Sequence, residues 1–230
     1  MKVFAVWEYL TYAAGRGRVS DLVGAVFFSM SSAPMVFLLS PASCTGKRAQ
    51  MLLNGRTIPL AVRLADGGAP LGEVFTFMSG LYFRGKLLYA EAFGSPPSGW
   101  PRALVIAPGR GLVPAEFLIR TPDLQAMGRV PVDHEEPCFR EPLMRDARQL
   151  DRVLGIDGCA VLLGSVASDK YVAPLMQVLG DRLYFPAAFV GRGDMSRGGL
   201  LLRCVRARTP LVCVPVRGAV RHGPKPPRLR

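Results

Sequence analysis

After residue 34 the chain alternates short, fully apolar runs with longer stretches in which apolar positions recur every three or four residues. Met35–Ser40 reads as a buried strand, followed by a loop over Pro41–Gly46 and a short helix over Lys47–Leu53. Leu60–Leu64 reads as a further strand. Gly80–Phe93 places Leu81, Leu88 and Phe93 among Tyr82, Phe83, Tyr89 and Ala92, a spacing that predicts a partly buried helix. Pro96-Pro97-Ser98-Gly99 predicts a loop. Arg102–Ala107 is the next strand, stopped by Pro108-Gly109, and Asp123–Met127 is a helical turn. Arg140–Leu154 is a helix with Leu143, Ala147, Leu150 and Leu154 on one side, and Cys159–Leu163 is a strongly apolar strand. Ser168 is placed to cap a helix running to Leu179, which Pro174 should kink or shorten. Leu183–Phe185 is a short strand, and Leu200–Val205 with Leu211–Val216 predicts a hairpin across Arg-Ala-Arg-Thr-Pro. Strands alternating with helices predict an α/β fold with a largely parallel sheet and a C-terminal β-hairpin.

This pattern puts one α/β domain at 35–217, an N-terminal extension at 1–34 that is loose or mis-started, with Met30 or Met35 as the alternative start, and a basic Pro/Arg-rich tail at 218–230. The extension needs separate treatment because Leu22–Ala42 holds no charged residue and is long enough to raise the question of a membrane anchor. Pro34 and the serines Ser29, Ser31, Ser32 and Ser40 argue against a spanning helix, and Glu8 interrupts the first apolar run of a would-be signal peptide. The expectation is a cytoplasmic protein that does not partner a membrane.

Charge changes the picture at the other end. The formal net charge is +12, and residues 182–230 carry +10 of it, leaving +2 for the rest. Such asymmetry favours an anionic partner, though a solvated arginine-rich face has the same composition. The five cysteines, Cys44, Cys138, Cys159, Cys204 and Cys213, form no C-x-x-C pair. Their odd count and wide spacing argue against a disulfide framework or a standard zinc site, and two histidines exclude a histidine-rich metal centre. No metal and no cofactor is expected. Asp133, Glu135, Glu136 and Glu141 with His134 read as a solvated connection.

Ligands of open α/β sheets bind beyond the carboxyl ends of the strands, and four segments fall there. After the first strand, Cys44 has Lys47 and Arg48 nearby and a helix start beside it, a setting that lowers a thiol pKa; the same residues also suit helix capping and anion contact. Pro108-Gly109-Arg110-Gly111 permits a sharp turn that presents Arg110. Gly164-Ser165 leads into a helix N-terminus, a geometry that favours anions, with Lys170 and Tyr171 able to face a ligand. The fourth segment, Gly191–Gly199, reads as a glycine-rich loop: Arg192 and Arg197 supply planar forks for phosphate, Gly193 and Ser196 supply backbone and hydroxyl contacts, and Asp194 is a candidate acid or base that could equally pair with an arginine. It is neither a Walker A loop nor a dinucleotide fingerprint. Cys44, Lys47, Lys170 and Asp194 are thus the candidates for chemistry; no Ser-His-Asp set or RNA-stacking aromatic pair is present.

Cys44-Thr-Gly-Lys47, then Ser79-Gly-Leu-Tyr-Phe-Arg84 with Tyr89-Ala90, then Ile106-Ala-Pro-Gly-Arg-Gly-Leu112-Val-Pro-Ala-Glu116 form an ordered set of short motifs. The order resembles that of a group of bacterial α/β domains reading S-C-x-x-K, L-Y…Y-A and S-A-x-x-G-L-x-x-P. More remotely it resembles YaaA-like peroxide-stress proteins, the uracil-DNA-glycosylase-like fold and the archaeosine-synthase core domain. The resemblance spans about residues 35–190, departs from the pattern at Ala107-Pro108, and leaves Gly191–Gly199 as an addition. It implies a three-layer α/β fold with a pocket for a nucleobase-like or nucleic-acid ligand, with Cys44, Lys47, Tyr82, Gly111 and Tyr171 in that pocket. The resulting expectation is a protein that binds a nucleotide, nucleobase or nucleic acid, with action on a modified base as its enzymatic form. The alternative is a non-catalytic nucleic-acid- or protein-binding module using the basic C-terminal section.

Overall fold

The computed structural model describes residues 33–55 and 57–226. The proposed extension lies outside these residues apart from Ala33 and Pro34, as do the last four residues of the tail.

Six strands form the central sheet: β1 (Met35–Leu39), β3 (Ala103–Ala107), β4 (Gly111–Pro114), β6 (Cys159–Leu163), β7 (Leu183–Pro186) and β8 (Cys213–Pro215), in the order β4-β3-β1-β6-β7-β8. β1 pairs in parallel with β3 and β6, and β6 with β7, while β4 and β8 close the edges antiparallel. A second, two-stranded sheet joins β2 (Ala69–Pro70) to β5 (Leu118–Ile119). β1, β3 and β6 are nearly all buried, as strands covered on both faces must be.

Strand alternation sorts their side chains into two cores. Val36, Leu38, Leu104, Ile106, Ala160 and Leu162 face α6 (Pro137–Leu154) and α7 (Asp169–Leu179). Phe37, Leu39, Val105, Val161 and Leu163 face a layer containing α1 (Lys47–Asn54), α2 (Pro59–Asp66), α3 (Leu71–Ser79), α4 (Leu81–Phe93), α5 (Thr121–Gly128) and α8 (Asp194–Ala207). The chain is therefore a three-layer α/β sandwich, and its C-terminal antiparallel pair is β7 with β8. Among the described residues no helix is long and apolar enough to cross a membrane.

Two elements differ from the sequence expectation. Leu60–Leu64 is helical, within α2: Pro59 sits in the first turn, where its fixed φ is an asset, and Leu60, Ala61 and Leu64 are buried with helical spacing. Leu200–Val205 is not a hairpin arm but the second half of α8, so only the Leu211–Val216 arm becomes a strand, reached from α8 through Arg208 in the left-handed region (φ 51°). Pro174 lies inside α7 without shortening it, and Ser168 stands at the N-cap position without a side-chain cap bond.

The glycine-rich segment also folds otherwise than expected. Only Gly191–Gly193 precede α8; Asp194 opens the helix and Ser196–Gly199 lie within it. Gly198 serves packing rather than anion binding: a Cβ there would stand 2.8 Å from Tyr82 Cα, and one on Gly85 would stand 2.9 Å from the Gly198 carbonyl oxygen. The two glycines let α4 and α8 approach at backbone distance. The tail is tied down as far as it is described, because Arg221 donates to Asp169 Oδ1 (2.7 Å) and to the Val166 carbonyl (3.4 Å).

Candidate functional site

The parallel strands run in the order β3-β1-β6-β7, so the chain reverses its direction of travel across the sheet on either side of β1. A crevice at such a switch point, outside the carboxyl ends of the strands, is where doubly wound sheets take ligands. Here that crevice is a pocket of about 580 Å³. Ser40 enters it after β1, Pro108 after β3 and Ser165 after β6. Helix ends and loops supply the walls: Cys44 and Thr45, Met78 and Ser79, Tyr82, the segment Met127–Val132, Lys170 and Tyr171, and Asp194. Segments far apart in sequence thus meet at one mouth, and Cys44, Ser165 and Asp194 share it.

The wall chemistry is mixed. Ser40, Ser43, Thr45, Ser79 and Ser165 offer hydroxyls, Met78, Met127, Tyr82 and Tyr171 offer apolar and aromatic surface, and the charges come from Arg129, Lys170 and Asp194. Lys170 Nζ stands 5.0 Å from the Tyr171 ring centroid, and Tyr171 meets Phe139 edge-on. Tyr82 Oη is buried with no hydrogen-bond partner among the described residues. Burial raises the Tyr82 phenol above the usual tyrosine range, so it is a neutral donor.

At the floor, α4 places Lys86 under Ser40. Lys86 is 1% exposed, and its Nζ donates to the Ser40 carbonyl oxygen (2.5 Å) and to Ser40 Oγ (3.0 Å). The rings of Tyr82 and Phe83 lie 4.5 and 4.7 Å from Nζ. Ser40 Oγ donates to the Leu163 carbonyl (3.3 Å), and a Cβ on Gly164 would stand 3.2 Å from Oγ. Burial pulls the Lys86 ammonium down to about 7; Asp194 opposes that pull and Arg197 adds to it.

The remaining sequence candidates fall in different places. Cys44 lines the pocket but is no activated thiol: burial pushes it up to about 12, and Sγ points to the Ala42 carbonyl (3.6 Å). The cations expected to lower it are spent elsewhere, since Lys47 is exposed at the start of α1 and Arg48 donates to the Phe77 carbonyl (3.3 Å). Arg110 lies in the β3–β4 turn, where it pairs with Asp123 and stacks over Phe117, and Gly111 opens β4, packed against Asp146 and Pro142 of α6. Gly164 is buried behind Ser40. Arg192 donates to the Ala188 carbonyl (2.9 Å) and to Ser196 Oγ (3.3 Å). Arg197 is buried; its guanidinium donates to the Phe189 carbonyl (3.3 and 3.2 Å) and reaches Asp194 (3.5 Å). Both arginines fasten the start of α8 instead of facing the pocket, and Gly193 is the exposed N-cap residue. Among the described residues no group of three or more His, Cys, Asp and Glu side chains could hold a metal ion.

Ser40, Lys86 and Arg129 escaped the sequence reading. For Lys86 a signal existed: it stands four residues after Tyr82, three after Phe83 and three before Tyr89, squarely on the apolar stripe of α4.

No protein-family model matches the chain. No curated protein and no solved structure matches it either.

Proposed function

We propose that the pocket binds a nucleotide, nucleoside or free nucleobase, with action on a modified base as the enzymatic form of that reading. The observation that carries it is the pocket itself: hydroxyl-rich, partly aromatic, sized for a small ligand, and open at the carboxyl ends of β1, β3 and β6. Tyr171 and the methionines Met78 and Met127 offer aromatic and apolar wall for a base, and the hydroxyls offer donors and acceptors for its edge. Lys170 and Arg129 replace Arg192 and Arg197 as the cations for a phosphate, because they are the ones on the wall.

Calorimetric titration with a base, its nucleoside and its monophosphate tests this. Lys170→Ala and Arg129→Ala should each weaken the monophosphate by about tenfold, roughly 1.4 kcal/mol, while leaving the nucleoside nearly unchanged. Absence of binding by all three ligand forms of every base would overturn the reading.

A second reading rests on the exposed arginines Arg206, Arg208 and Arg217 at and after the end of α8. It makes this basic section a docking surface for nucleic acid, and it predicts affinity that falls steeply with salt and survives pocket substitutions.

A further inference from the structure

We propose that Ser40 is a nucleophile for acyl transfer and Lys86 its general base, acting on an ester or thioester whose carbonyl reaches the pocket floor. The inference goes beyond ligand binding and holds whether or not the pocket's occupant is a nucleotide.

A fully buried ammonium is costly, and a lysine kept inside a core for packing alone is expected beside a carboxylate. Lys86 instead directs its hydrogen bonds, among the described residues, to the two oxygen atoms of one serine. Methionine would fill much the same space without that cost. When Lys86 holds its proton, Nζ donates to Ser40 Oγ and the hydroxyl donates to Leu163. When it has lost the proton, its lone pair accepts from the same hydroxyl across the same 3.0 Å, the contact a general base needs. Serine activated by lysine is a recognised form of the nucleophile–base pair.

Three surrounding features fit the role. Ser40 is one of the residues that line the pocket, at the carboxyl end of β1. Gly164 has no side chain to press on Ser40, where a Cβ would stand 2.9 Å from Ser40 Cβ. Tyr82 is on the same wall, its ring 4.5 Å from Lys86 Nζ and its Oη buried beside Arg197. Of the charged groups, Asp194 and Arg197 of α8 act on Lys86 with opposite sign, so neither alone sets its protonation.

The step balances within these groups. Ser40 Oγ bonds to the acyl carbon as its proton passes to Lys86 Nζ. The bond from that carbon to the leaving oxygen or sulfur breaks, and the leaving atom takes the proton from Nζ. Water then bonds to the acyl carbon, giving one proton to Nζ, and the carbon–Oγ bond breaks as Oγ recovers that proton. The products are a carboxylic acid and an alcohol or thiol.

The full chain treated with p-nitrophenyl acetate provides the test, read as nitrophenolate release and as the position of the acetyl group by peptide mass spectrometry. The expected result is a burst with acetyl on Ser40, rising with pH through a midpoint of about 7. Ser40→Ala should abolish the acetyl at this position, and Lys86→Met should slow its appearance by about 100-fold or more. Acetyl on Cys44 or surface lysines without Ser40 overturns the proposal, as does an unchanged rate in Lys86→Met. Should Lys86→Met fail to fold, the wild-type profile decides alone: a rate of Ser40 acetylation that is flat from pH 5 to 9 overturns it. Ser40 chemistry without nucleotide binding would remove the nucleotide reading and leave this one standing.

Discussion

On the side of the sheet covered by α6 and α7, Val36, Leu38, Ile106 and Leu162 meet Phe139, Leu143, Leu150 and Leu175, and the cluster is apolar throughout. On the other side the same strands meet a layer in which Lys86 and Arg197 are buried beside Tyr82 and Phe189. Strand residues of one type thus support two unlike layers. The first layer needs only volume and periodicity. The second holds two cations away from water and keeps α4 and α8 close enough to enclose them, and the pocket opens above it. The difference suggests where the molecule can give up stability for chemistry: the α4–α8 side carries groups that stability alone would replace.

Three substitutions break or sharpen this contrast. Leu150→Ala, on the apolar side, should lower the free energy of unfolding by about 2–5 kcal/mol in urea titrations. A loss below about 1 kcal/mol would mean that this layer is loosely packed and the contrast unfounded. Gly198→Ala comes next, since its Cβ would press on the Tyr82 backbone. Forcing α8 off α4 should cost about 1–3 kcal/mol, measured the same way.

Lys86→Met is read as a change of slope and is the most informative of the three. The folded protein holds the Lys86 proton less tightly than the unfolded chain does, so between about pH 7 and the ordinary lysine value of about 10.4 the unfolded state binds the extra proton. Stability therefore rises with pH in that window, by at most about 1.4 kcal/mol per unit from this group. Cys44, Cys159 and Cys213 act oppositely above their ordinary value, since burial pushes each up to about 12 and the folded state then retains the proton. The clean interval is accordingly from about pH 7 to about pH 9, where Lys86→Met should flatten the wild-type rise. An unaltered slope would show that Lys86 is hydrated in solution.

The sequence carried the sheet well, because β1, β3 and β6 are buried on both faces and such strands are written as unbroken apolar runs. Helices were legible where one face stays wet, as in α6. Leu60–Leu64 misled because five residues cannot separate a period of two from one of 3.6, and the decisive residue was Pro59 just before it. The mouth of the pocket was legible from strand ends. Its floor was not: Ser40 ends an apolar run and reads as punctuation, and although Lys86 falls on the apolar stripe of α4, nothing in the sequence places that stripe under Ser40. Gly191–Gly199 suggested a ligand because glycine serves close approach of any kind, and here the approaching partner is a helix.

The packing of α8 on α4 has a consequence in time. The helix that packs on α4 beside Lys86 is formed by residues 194–207, which are synthesised well after α4 itself. Until they dock, the amine on α4 stays wet and charged, and the serine next to it is an ordinary hydroxyl. Whatever reactivity the finished molecule has is withheld from the nascent chain and switched on by completion of the fold.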